Sequence, residues 1–145
     1  MSYISTFRLY LLRATYALIA IGLGSIIWPR LISHQPWGHM EGVAYALLGA
    51  LAALAALGLR YPLLMLPLLL FELLWKSIWL LAVALPLSRA GTLDAANAST
   101  VIDCLLGVVI VPIALPWRYV VANYITRPGD RWRRSRNEPA AAATT

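Results

Sequence analysis

Acidic side chains are scarce in this chain. Asp and Glu together number 6 against 12 Lys and Arg, and charged residues make up 12% of a sequence that is 61% hydrophobic. A soluble domain carries roughly twice that share of charge, so a water-exposed globular fold is excluded. A single cysteine, Cys104, excludes an intrachain disulfide and any C-x-x-C thiol centre. There is no Gly-rich phosphate loop, no H-E-x-x-H and no G-x-S-x-G, so the machinery of the common hydrolases and nucleotide enzymes is missing. The net charge of +6 would suit nucleic acid. The arginines, however, flank apolar runs, which is the ordinary pattern of a membrane protein, and nucleic-acid binding is not expected.

What the chain does contain is long apolar runs. Its 145 residues suit one domain, and we expect an all-α, polytopic transmembrane fold, an antiparallel four-helix bundle. The domain covers residues 1–126, with spans near residues 9–28, 40–59, 62–87 and 101–124. Residues 127–145 form a basic tail expected to be disordered. The first span is read as a retained anchor, because Arg8 and Arg13 flank an apolar stretch longer than a signal-peptide core. Its clean apolar part is short of the roughly 20 residues needed to cross, so Arg13 must snorkel to the headgroups or turn inward. Pro29 is expected to end it.

The second span carries Gly42, Ala46, Ala50 and Ala53 at a spacing that lets helix backbones approach closely. It is read as a packing helix, with the third span as a candidate partner. Arg60-Tyr61-Pro62 is a tight turn that makes spans two and three a hairpin. Pro62 is placed in the first helical turn, and Pro67 is expected to kink the helix. Ser99 or Thr100 is the expected cap of span four, with Asp103 in its first turn and Glu41 likewise near the start of span two, both favoured by the helix dipole. Pro112 and Pro116 are expected to kink span four.

Four spans put both termini on one side. That side collects Arg8, Arg13, Arg60, Arg118, Arg127, Arg131, Arg133, Arg134 and Arg136, against Arg30 and Arg89 opposite. The bias predicts cytoplasmic termini and a multi-pass protein of the cell inner membrane. Arg13, Arg60, Asp103 and Arg118 are read as structural or interfacial polar groups. Arg127, Arg131, Arg133, Arg134 and Arg136 are suited to anionic lipid, each base adding about 1 kcal/mol near such a surface.

The candidate site is the third span. Glu72, Trp75, Lys76 and Trp79 stand at i, i+3, i+4 and i+7, on one helix face. Counted from Pro62, Glu72 lies about 15 Å along the helix, half of a bilayer core. Ionised groups at such depth are costly and mark functional positions. Two readings stand: a self-neutralising pair in the favourable Glu-to-Lys order, or a ligand-binding or proton-handling site walled by Trp75 and Trp79. Tyr16, Tyr45, Arg13 and Asp103 are the candidate outside partners of the pair. His34, His39, Glu41, Asp94 and Asp103 match no metal-ligand spacing, so neither a metal nor a cofactor is expected. Cys104 is read as a small packing residue.

In size, span number and the tight Leu59-Arg60-Tyr61-Pro62 hairpin leading to Trp79, the chain resembles DoxX-like membrane proteins across residues 8–125. That resemblance implies a quinone-linked redox or accessory role, while the missing cysteine pair departs from dithiol chemistry. Small multidrug transporters also have four spans and a membrane carboxylate, but theirs lies in the first span. The leading expectation is a non-enzymatic membrane protein whose Glu72/Lys76/Trp75/Trp79 face binds a small hydrophobic ligand or a partner helix. The alternatives are a proton-coupled transporter acting as a homodimer, and an accessory subunit of a quinone-linked oxidoreductase.

Overall fold

A computed structural model describes residues 4–33 and 36–129. Every regular element among them is helical. Four helices are long and apolar enough to cross a membrane: α1 Thr6–Ile32, α2 His39–Arg60, α3 Leu66–Arg89 and α4 Ala95–Ala114. The shortest has 20 residues, about 30 Å of helix. A short α5 follows, Trp117–Val120 continuing as a π-helical turn, Val121–Ile125. Similar π-helical turns interrupt α1 at Leu18–Leu23 and α3 at Leu80–Ala84.

The helix ends follow local chemistry, and several differ from expectation. Ser5 caps α1 by accepting from the Arg8 N–H. Pro29 does not stop α1, which runs one turn further to Ile32. Packing of Gly24, Ile27 and Leu31 along α2 outweighs the one hydrogen bond the proline removes. At the other hairpin, residues 62–65 form a turn, so Pro62 lies outside the helix and Pro67 falls in the first turn of α3. A proline there removes no intrahelical bond, and the expected kink is not required.

The α3 C-terminus is set by Gly91, at φ +68°. Gly91 N–H donates to Ser88 O and Thr92 N–H to Leu87 O, the paired bonds of a Schellman cap. The start of α4 also differs from the sequence expectation. Asp94 is the cap, its carboxylate accepting from Asn97 N–H at 2.7 Å. Residues 95–100 therefore become helical, and Asp103 moves from a first turn to the third. At the far end Leu115 is extended (φ −63°, ψ 128°) because it precedes Pro116. The expected span 101–124 is thus two helices.

Packing joins α1 chiefly to α2 and α3 chiefly to α4. The α1–α2 seam is read through small residues. Gly24 faces Ala52, Gly49 faces Ile27 and Leu31, and Gly58 lies against the Tyr16 ring. Arg13 Nε donates to Leu59 O at 3.2 Å, and Arg30 to the Tyr45 hydroxyl. These partners run in opposite chain order along the two helices. Of the expected small face of α2, Ala46, Ala50 and Ala53 are exposed, while the neighbouring Gly49 is buried. The two pairs share a core of Leu12, Tyr16, Leu51, Ala55, Leu66, Leu69, Val111 and Leu115. Arg8 bridges α1 to the broken end of α4, donating to Leu115 O at 2.7 Å.

Candidate functional site at the α3–α4 seam

Residues four apart on α3 bring Glu72 and Lys76 together, with Oε1 and Nζ at 2.8 Å. This is the one ion pair found among the described residues. The other carboxylate oxygen, Oε2, accepts from Trp75 Nε1–H at 2.6 Å. Glu72 thus has both oxygens engaged, and its side chain is 3% exposed. Neither donor comes from another helix, because Trp75 stands at i+3 and Lys76 at i+4.

Lys76 is the outward-facing member. Its side chain is 15% exposed, and it is the only lysine in the chain. Beyond Glu72, its ammonium reaches Asp103 O of α4 at 3.5 Å. It also lies 5.6 Å from the centroid of the Trp75 ring, within cation–π range. The stem lies directly across Gly107 of α4. A Cβ at Gly107 would come within 2.6 Å of both Cδ and Nζ, so only glycine leaves room for this path. Cys104, one turn from Gly107 on α4, is buried.

Depth follows from the helix bounds. Glu72 lies about 9 Å and Lys76 about 15 Å beyond the start of α3 at Leu66. Lys76, not Glu72, is therefore nearer the middle of the span. The shift arises because residues 62–65 are a turn and not helix. At mid-depth an ammonium needs partners, and it finds a carboxylate, a carbonyl and a ring face.

The other expected residues are placed as follows. Trp79 is half-buried and takes no part in the hydrogen bonds of the pair. Tyr16 and Tyr45 do not reach Glu72: the Tyr16 hydroxyl donates to Pro62 O at 3.0 Å, and Tyr45 accepts from Arg30. Arg13 is exposed, caps the α2 C-terminus and lies over Tyr10, while Arg60 lies over Tyr61. Arg118 lines a shallow groove on α5 with Trp117, Val121, Ala122 and Thr126. Arg127 is exposed, whereas Arg131, Arg133, Arg134 and Arg136 lie outside the described residues, as does His34. Glu41 is in the first turn of α2, and Asp94 is a cap. No group of three His, Cys, Asp or Glu side chains converges among the described residues.

One residue and one bond absent from the sequence expectation matter here. Gly107 carried no signal, since a lone glycine in an apolar run has many explanations. The bond from Trp75 Nε1–H to Glu72 was foreshadowed by the i,i+3 spacing alone. No family model, curated protein or solved structure matches this chain.

Proposed function

We propose that this chain is an antiparallel four-helix bundle of the cell inner membrane, with both termini cytoplasmic, whose α3–α4 seam binds a small, flat, apolar molecule bearing a neutral hydrogen-bond acceptor. The observation that carries this reading is the asymmetry of the pair. Glu72 is buried with a donor on each oxygen, while Lys76 presents a partly exposed side chain beside an aromatic face. Glu72 and Trp75 hold Lys76 in place, and Lys76 and the Trp75 ring meet the ligand.

The charge balance narrows the class. The ammonium is already neutralised by the Glu72 carboxylate and also reaches the Asp103 backbone carbonyl, so an anionic head would find no net positive charge to offset its desolvation in a low-dielectric setting. A carbonyl accepts from Lys76 without that penalty. A quinone, flat and apolar with ring carbonyls, has the matching chemistry, consistent with an accessory role beside a quinone-linked enzyme. Proton exchange at Glu72, the transporter reading, is disfavoured because Lys76 at 2.8 Å and the Trp75 N–H at 2.6 Å both stabilise the ionised carboxylate. The basic residues Arg118 and Arg127 suit contact with anionic lipid at the membrane surface.

The test is tryptophan fluorescence in nanodiscs titrated with a short-chain benzoquinone. Saturable quenching is expected for the wild type, and loss of saturation for Lys76→Met and for Trp75→Phe. Linear quenching indistinguishable between the wild type and both variants would sink the reading.

A further inference from the structure

The surroundings of Lys76 differ above and below it. Towards the chain termini, the space beyond Glu72 is filled by Leu66, Leu69, Val111, Ala114 and Leu115, each buried to 2% exposure or less. The side chains of that layer offer no polar group to a solute or to water. Towards the α3–α4 loop, the face of α4 is polar. Asn97, Thr100 and Asp103 follow one another at three-residue steps, so each stands nearly above the next. Asp103 is exposed, and Asn97 and Thr100 are partly so. Among the described residues the Asp103 carboxylate has no ion-pair partner.

The pair itself leans the same way. Lys76 is one turn closer to the loop than Glu72, and its ammonium extends to Asp103 O, one turn beyond Gly107. Asp103 sits about 12 Å from the start of α4 at Ala95. An ionisable side chain at that depth ordinarily faces water or a partner rather than lipid. Asp94, which caps α4 at the loop, continues this row of polar residues towards the loop.

We propose that the Lys76 ammonium is hydrated and reached from the side of the membrane that carries the α3–α4 loop, along the Asn97–Thr100–Asp103 face. The terminal side is closed to it by the Leu66–Leu69–Val111–Leu115 layer. This deepens the ligand reading above and rests on it for one consequence: the acceptor group of the ligand enters from the loop-side leaflet. The route itself requires no ligand.

Single cysteines test the route in the full chain. In a Cys104→Ala background, Thr100→Cys, Asp103→Cys and Val111→Cys are exposed to a charged, membrane-impermeant thiol reagent. The reagent is applied separately to right-side-out and inside-out vesicles. Modification needs thiolate and therefore water, so positions 100 and 103 should react at least about tenfold faster than 111 from the loop side. They should show no comparable rate from the terminal side. Thr100→Cys keeps the acid in place and covers the case in which Asp103→Cys does not fold. Equal rates from both sides, or no reaction at 100 and 103, overturns the proposal. Loop-side labelling without saturable quinone quenching upholds the route and refutes the ligand.

Discussion

At the scale of single residues, the notable economy is that α3 supplies all the strong partners of Glu72. The carboxylate is held by Lys76 at 2.8 Å and by Trp75 at 2.6 Å. Removing only the cation strands a buried charge, a change that typically costs about 3–5 kcal/mol. Lys76→Met should therefore lower the thermal stability of the detergent-solubilised protein sharply. Glu72→Gln retains an acceptor for Trp75 and should cost less. The double variant Glu72→Gln/Lys76→Met should recover part of the Lys76→Met loss, because it no longer buries an unpaired ion. Additive losses across this cycle would mean that the two side chains do not act as a pair. The i,i+4 spacing made the pair legible in the sequence. The role of Trp75 as a hydrogen-bond donor was only half legible, since spacing permits the bond without requiring it.

At the scale of elements, close approach decides which helices pair. Gly58 accepts the Tyr16 ring and Gly107 accepts the Lys76 stem, so each glycine marks a seam. Gly107→Ala forces the ammonium off its path, and overpacking of this kind costs about 1–3 kcal/mol. Measured by thermal unfolding, that loss should shrink in the Lys76→Met background, where the shorter and uncharged side chain can yield. An undiminished loss would place the clash elsewhere. Helix ends were less legible than helix existence. Pro29 was expected to stop α1, and Pro67 to bend α3, yet the first lies inside a helix and the second in a harmless first turn. Asp94, unremarked as a cap, extends α4 by six residues beyond its expected start. Capping depends on which of several polar residues happens to lie next to the first turn, and Asp94, Ser99 and Thr100 all qualify by type.

At the scale of the whole molecule, the proposed antiparallel bundle separates the described arginines by end. In it Arg8, Arg13, Arg60, Arg118 and Arg127 fall at the end that holds the α2–α3 turn and α5, and Arg30 and Arg89 at the other. Several of these also hold helices together, as Arg8 does at Leu115 O and Arg13 at Leu59 O. The positive-inside bias predicts that a reporter inserted at Gly91 will be active only in the extracytoplasmic compartment. A reporter fused after Thr145 should be active only in the cytoplasm. Reversed activities would invert the proposed orientation. Because Arg8 and Arg13 have structural partners as well, replacing them should lower stability in addition to weakening the bias.

Composition and run length alone determined that this is a helical chain with four segments able to cross a membrane, because 61% apolar residues with so few charges have no aqueous fold open to them. Local spacing alone also determined that Glu72 and Lys76 would meet, since they share one helix. The tertiary structure decided what faces them. Of its two neighbours in sequence, it pairs α3 chiefly with α4 and not with the small-residue helix α2. That choice rests on contacts between residues far apart in the chain, such as Gly107 beneath Lys76 and Arg8 at Leu115 O. Periodicity describes one helix at a time and carries no information about which helix comes next to it in space.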